Sequence, residues 1–474
     1  MAVGVGMRMN RAALLVLSLG AACGGGAGRE DVARPRNVLL ISLDTLRPDH
    51  LSCYGHARET SPTIDALAAR GVRFADASSA APWTLPSHAT MFTGLYPSHH
   101  GVKDYSQRLP EERVTLAEIL RENGFQTFAV INTWNIADPR FEIFQGFAPE
   151  DVHYVREAEP GTDGDQVIRN SGAEVAETAR ACLAGRERRP FFLLAHFYDA
   201  HTDFTPTPEN RARFVAPYSG QLDGTTSQLL AIRAQGLRLG QADLRFLREL
   251  YDAEIRGLDD VLAGLLAFLE DEGLDDETLI VLTSDHGEEF QEHGGLLHGR
   301  TQYEELLRVP LVFAGPGVPR GRVVEQPVSL VDLLPTILGR LGLAPPAALD
   351  GLDLAPAWSG GTLPERLLFG EADHNNVVDG TQVIDVRRMA RLGHEKLHLE
   401  RDTERVQLFD LESDPREQRD LAASAPQRVA LLRTALTRFL DGAVAGEASG
   451  AELSEENLEL LRELGYAGAD EEEE

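Results

Sequence analysis

The sequence predicts an α/β fold, with a central, mostly parallel sheet flanked by helices and followed by a smaller C-terminal α+β subdomain. Three observations carry this. Apolar runs recur along the chain and each ends in polar residues: NVLLISLD (37–44), FQTFAVIN (125–132), FFLLAHFYDAH (191–201) and TLIVLTSDH (278–286). Strands buried on both faces of a parallel sheet read this way, as continuous apolar runs without alternation. Between them lie helical patterns such as SPTIDALAARG and TLAEILRENG, each closed by a Gly past the last turn. After PTILGRLGLAPP the pattern changes, and RLLFGEAD, RMARLGHEKLHLE and RVQLFDLESDP, within residues 365–412, read as short strands of an antiparallel sheet.

The remaining elements follow in order. Arg8 and Arg11 precede a short apolar stretch that stops at small residues before Cys23, the pattern of a secretory signal over 1–22. Leu19-Gly20-Ala21-Ala22-Cys23 resembles a bacterial lipoprotein box, so the expectation is an exported protein held to a membrane by lipidated Cys23, with plain secretion as the alternative. It would face the periplasm or the cell exterior. A Gly-rich tether (23–35) leads into a catalytic α/β domain (36–350), a C-terminal subdomain (351–445), and a terminal helix with an acidic tail (446–474). An amphipathic helix is expected over 242–272, with Leu247, Leu250, Ile255, Leu258, Leu262 and Leu265 as its apolar stripe. Further helices are expected near 425–441 and 453–465.

Composition bounds the function. At 474 residues and 43% hydrophobic, the chain can bury a large core. A net charge of −30 gives no long-range attraction to nucleic acid or to an anionic membrane surface. Cys53 and Cys182, which remain beside Cys23, are too few for a zinc-thiolate site, and their spacing leaves open whether they pair.

In open α/β sheets ligands bind beyond the carboxyl ends of the strands. Asp44, Asn132, Asp199, His201, Asp285 and His286 all fall there. Asp44, Asp285 and His286 form a set of two carboxylates and one imidazole suited to a divalent cation, with a hydroxyl in the fourth position. Thr84 in APWTLPSHATMFTGLYP is the candidate hydroxyl, placed before Pro86 and a helix expected from Ser87, whose N-terminal end favours an anion. Beside a metal its pKa falls and it becomes a nucleophile. Taken one at a time, Thr84 also reads as a helix cap and Asp44 or Asp-His-Gly as turns.

NVLLISLDTLRPDHLSCYG, PWTLPSHATMFTGLYPSHHGV, HFYDAH, YDAEIRGLDD, SDHGEEFQEHGGLLHGRTQYEELLRVPLVF and LFDLESDPREQRDLA, in this order, resemble the successive blocks of the sulfatase family in the alkaline phosphatase superfamily. The resemblance runs over 36–466. It implies a metal-dependent ester hydrolase. In sulfatases a Cys or Ser at the place of Thr84 is converted to formylglycine; a Thr is not, so no formylglycine is expected. Other branches, including nucleotide pyrophosphatases/phosphodiesterases and lipoteichoic acid synthases, use an unmodified Thr against phosphorus, and Thr84 looks like that residue. His88 stands where the family keeps an Arg, and Asn132 where it keeps a Lys, which implies substrate binding for both. Thr45 replaces a second Asp ligand and His286 an Asn, which moves the metal preference from calcium toward zinc or manganese.

His298 matches a substrate-binding Lys, and His201 a His near the leaving group. The resemblance gives them roles in binding ester oxygens or as general acids. The alternative is a second metal held by Asp199, His201 and His298. His196 is expected to be a core residue or one that supports the ligands, and Asp332 to be structural; His99 and His100 receive no role. The reading is an exported hydrolase of phosphate mono- or diesters, acting through Thr84 on a small-molecule, glycan or lipid ester. Its alternatives are a sulfatase working without formylglycine and an inactive glycan-binding lipoprotein.

Overall fold

The computed structural model describes residues 33–155, 171–378, 381–401, 403–444 and 447–448. The signal peptide, most of the tether with Cys23, and the acidic helix and tail expected beyond residue 448 lie outside the described residues. From Arg34 the chain forms one compact unit.

Its frame is a nine-stranded sheet. The strands are β1 (Asn37–Leu43), β2 (Gly71–Ser78), β3 (Gln126–Ile131), β4 (Val152–Tyr154), β5 (Phe191–Phe197), β6 (Thr278–Ser284), β7 (Arg308–Ala314), β8 (Arg322–Val324) and β9 (Val328–Ser329). They lie in the order β8-β2-β7-β6-β1-β5-β3-β4, with β9 paired to β2. β1 runs parallel to both β5 and β6, while β7 runs antiparallel between β2 and β6. All seven residues of β1 are buried, Val38 and Leu40 packing on one face and Leu39 and Ile41 on the other. This two-sided burial is why the strand carries no polar alternation. The sheet register aligns Leu43 with Ser284 and with Phe197, so the residues that follow, Asp44, Asp285 and Tyr198, emerge at one level.

Helices cover both faces. They include α1 (Pro62–Ala69), α2 (Thr84–Thr93), α3 (Leu116–Glu122), α4 (Gly172–Gly185), α5 (Thr226–Ala234), α6 (Gln241–Asp271) and α7 (Leu333–Leu341). α6 buries all six residues of its expected stripe. α2 starts at Thr84, not at Ser87. Pro86 falls in its first turn, where the amide that proline lacks has no partner in any helix. The residue capping α2 is Trp83, so Thr84 is the first helical residue and not a cap. Gly94 closes α2 in the left-handed region at φ 67°.

The C-terminal segment forms a four-stranded antiparallel sheet, β10 (Leu367–Val378), β11 (Thr381–Leu392), β12 (Glu395–Glu400) and β13 (Arg405–Asp410), with α8 (Pro426–Leu440) against it. The run RMARLGHEKLHLE is the end of one strand and the whole of the next, reversed at Gly393 with φ 58°. This sheet is joined to the chain just after α2. Tyr96 packs edge-on against Phe369 and Phe439, which stack on each other at 3.9 Å. The Ser98 amide donates to Glu371 Oε1 at 2.8 Å, and its hydroxyl donates to the other oxygen. Asp332 is structural as expected, accepting from the Ser329 and Leu352 amides and pairing with Arg366. Cys53 and Cys182 are unpaired thiols.

His99 lies tilted against Phe439, with centroids 4.6 Å apart, and hydrogen-bonds Asp350 at 2.8 Å, a contact that raises its pKa above the ordinary histidine value. A pKa higher in the folded than in the unfolded state gives stabilisation that is complete below about 6.5 and is lost as pH rises through the raised value. The melting-temperature gap between wild type and His99→Gln is therefore expected to be wide at about pH 6 and to narrow at about pH 8.5. A gap that does not change with pH would show that the imidazole acts there only by packing.

Candidate metal centre and active site

The aligned ends of β1 and β6 bring two carboxylates together in the interior. Asp44 and Asp285 are fully buried, and both carboxyl pKa values are raised, first by loss of solvent. For Asp285 the Asp44 charge raises it further. Asp285 Oδ1 accepts from the Thr45 and His286 amides at 3.3 and 2.9 Å, leaving Oδ2 without a hydrogen-bond partner. His286 is oriented in the same manner. Its Nδ1–H donates to the Gly287 carbonyl at 3.0 Å, because a carbonyl only accepts, and this turns a bare Nε2 inward. Gly287 is required by space: a Cβ there would lie 2.1 Å from the Glu305 carbonyl oxygen.

The inward atoms form a cage. His286 Nε2 is 3.6 Å from Asp44 Oδ1, 3.4 Å from Asp285 Oδ2 and 3.4 Å from Thr84 Oγ1. A tetrahedron with metal–ligand bonds of about 2.0–2.2 Å has edges of about 3.3–3.6 Å, so these donors stand at the spacing of a four-coordinate divalent ion. Unpartnered buried carboxylate oxygens are costly without a cation, and a cation answers both observations.

A second group of close donors, His50, His56 and Asp252, has the opposite character. Asp252 accepts from His50 at 2.7 Å, His56 at 3.2 Å and the Arg58 guanidinium at 2.9 Å. Its charge is already met, and the guanidinium stands where a cation would.

Around the cage lie the other expected residues. His201 donates from Nδ1 to the Thr202 carbonyl at 2.8 Å, so its Nε2 accepts, facing the Tyr198 hydroxyl at 3.0 Å and His298 Nε2 at 3.3 Å. The ring centroids of His298 and His286 are 4.6 Å apart, and His298 Nδ1 is 3.3 Å from Glu288 Oε1. Burial lowers the pKa of His201 to about 3 and that of His298 well below its ordinary value, so both imidazoles are neutral. Burial also raises Glu288 to about 8.

His88 lies one helical turn beyond Thr84. Its Nδ1–H donates to the Thr84 carbonyl at 2.8 Å and its Nε2 accepts from Ser42 Oγ at 3.0 Å; burial lowers its pKa to about 3. Both nitrogens are thus engaged with the protein, and the geometry makes His88 a brace for the first turn of α2, where substrate contact was expected.

Asp199 departs from expectation. The chain turns at 198–201, with the His201 amide bonded to the Tyr198 carbonyl, so the Asp199 and His201 side chains diverge. Asp199 accepts from the Gly172 amide at 3.2 Å, on the side where Asn132 donates to Ser171 at 3.2 Å. Among the described residues, Asp199, His201 and His298 do not gather into a cation-binding group. Asn132 and Asp199 together make a separate polar corner beside the main cage. Sequence reasoning passes over Glu288 and Tyr198, and it gives no specific task to His196; the signal for His196 is one polar residue inside the apolar run FFLLAHF.

The sequence profile of the Sulfatase family matches residues 36–343. The chain belongs to the sulfatase family. This sulfatase-family protein is 26% identical over 436 residues to the Delta 4,5-hexuronate-2-O-sulfatase of Bacteroides thetaiotaomicron, covering 85% of this chain and 87% of that one. To arylsulfatase A of Homo sapiens it is 29% identical over 443 residues, 82% of this chain and 78% of that one. Among solved structures, the phosphonate monoester hydrolase of Agrobacterium radiobacter superposes with a TM-score of 0.69 at 24% identity, over 86% of this chain and 95% of that one. The sulfatase-family chain is an ester hydrolase of the alkaline phosphatase superfamily, and the family is metal-dependent.

Zinc or manganese at about 100 times its Kd is expected to stabilise the protein by about 2.7 kcal/mol, read as a rise in melting temperature. In Asp285→Asn that rise should vanish, while the metal-free variant melts above metal-free wild type because a buried unpaired charge is gone. A metal-free Asp285→Asn that melts lower would show that the carboxylate is satisfied by other means.

Proposed function

We propose that this sulfatase-family enzyme hydrolyses phosphate mono- or diesters, with Thr84 as the nucleophile. The observation that carries the reading is Thr84 Oγ1, fully buried, on an α2 that begins at this residue, 3.4 Å from the bare nitrogen of His286. Asp44, Asp285, His286 and Thr84 would hold one divalent ion, zinc or manganese by the mixed oxygen and nitrogen donor set, and when bound the ion lowers the pKa of the hydroxyl. Thr84 Oγ then attacks phosphorus, forming an O–P bond as the ester's P–O bond breaks. The proton that Thr84 releases passes to the neutral His201–His298 pair, where His201 Nε2 can accept it, and from there to the departing oxygen. Water attacks the phosphoryl group, Thr84 leaves with a proton, and the site is restored. His88 keeps the Thr84 backbone in place throughout.

A second reading, hydrolysis of sulfate esters without formylglycine, is favoured by the names of the curated relatives. We infer also that the protein is exported and attached to a membrane through Cys23, as the N-terminal sequence suggests.

Intact mass spectrometry after brief incubation with aryl phosphate, bis-aryl phosphate or aryl sulfate, in the presence of zinc or manganese, distinguishes the chemistries. A phosphoryl adduct on the Thr84 peptide with phosphoester turnover is expected, and Thr84→Ala should lose the adduct and at least about 1,000-fold in rate. Turnover of aryl sulfate alone would replace phosphorus by sulfur. For the anchor, Cys23→Ser is expected to move the protein from the membrane to the soluble fraction; no redistribution would count against lipidation.

A further inference from the structure

His196 on β5 is an anomaly. It has no solvent exposure, and neither ring nitrogen has a hydrogen-bond partner. Buried imidazoles are ordinarily satisfied, so this one requires an explanation. Its neighbours narrow the choice. Parallel pairing sets His196 against Ser42, two residues before Asp44, and its ring stands edge-on to His88 at 4.8 Å, an arrangement that fixes the ring plane. Nε2 then lies 3.4 Å from Asp44 Oδ2.

The two oxygens of Asp44 are thereby divided. Oδ1 faces His286 Nε2 within the cage, whereas Oδ2 faces His196. A carboxylate oxygen can only accept, so for the two to bond Nε2, the nitrogen near Oδ2, must carry the proton. Carboxylates that bind metals are commonly held by such an outer donor, which fixes which oxygen points at the ion.

We propose that His196 is the positioning residue of the metal centre: Nε2–H, 3.4 Å from Asp44 Oδ2, bonds that oxygen when the ion is bound and so holds Oδ1 toward the ion shared with Asp285, His286 and Thr84. The inference rests on the one-metal reading above and assigns His196 outside the ligand set. It also accounts for a histidine in the interior of an otherwise apolar strand.

The test is metal affinity, read by competition between the purified protein and a chromogenic chelator for zinc and for manganese, in wild type, His196→Ala and His196→Gln. Loss of the outer donor should weaken binding by roughly 10–100-fold in His196→Ala, with partial recovery in His196→Gln, whose amide can donate. Apparent KM for metal should rise in parallel, with kcat largely recovered at saturating metal. X-ray absorption of the zinc-loaded wild type should show one imidazole at the ion, that of His286.

Unchanged affinity in both variants overturns the proposal, and two imidazoles at the zinc overturn it by making His196 a ligand. Should His196→Ala fail to fold, His196→Gln alone decides, because wild-type affinity in it contradicts a directional donor. A wild type that binds neither ion would remove the metal centre itself. Weakened metal binding without phosphoester turnover would leave His196 assigned and overturn only the choice of substrate.

Discussion

Everything at this site depends on the pairing of β1 with β6. Parallel register sets Leu43 beside Ser284, so Asp44 and Asp285 leave the sheet side by side in the interior, where mutual repulsion and loss of water both oppose two charges. The fold cannot separate them without shifting a strand whose seven residues are all buried. The surrounding atoms respond in one pattern. Two of the donors have one atom tied back to the protein and another turned toward the centre: Asp285 through two amides, His286 through the Gly287 carbonyl. The helix that delivers Thr84 is held in turn by His88, which bridges its first turn to Ser42 on β1.

Much of this is legible in the amino-acid sequence. The strands that lead to Asp44, His201 and Asp285 are predominantly apolar because both faces are covered, and that continuity is visible as composition. β2 and β7 are less legible. GVRFADAS has a partly exposed face and mixes polar with apolar residues, RVPLVFA contains a proline, and their antiparallel pairing is a matter of topology that local pattern does not encode. The start of α2 lies three residues ahead of its expected place because Pro86 reads as a boundary, although the first turn of a helix accepts it.

Side-chain direction is harder to read. Asp199 and His201 are two residues apart at a strand end, which suggests a shared site, yet a single turn sends one toward α4 and the other toward His298. His88 resembles a substrate ligand because of its place in the TLPSH block; its position four residues after Thr84 instead puts its ring within reach of the carbonyl one helical turn back. Distances along the sequence indicate which residues arrive at an edge, whereas hydrogen bonds with neighbouring carbonyls and amides decide where they point.

The attachment of the C-terminal sheet gives the molecule a different kind of unity. Tyr96, Ser98 and His99, directly after the helix that begins with Thr84, are gripped by Phe369, Glu371, Asp350 and Phe439. The change in pattern near residue 350 thus marks a change of architecture and not a place where the chain can be divided. A gene fragment ending there would leave Tyr96 and Ser98 without the partners that close over them. Recombination that exchanges the C-terminal sheet among relatives must keep these contacts, so the evolution of that sheet is constrained by the helix of Thr84 that it holds.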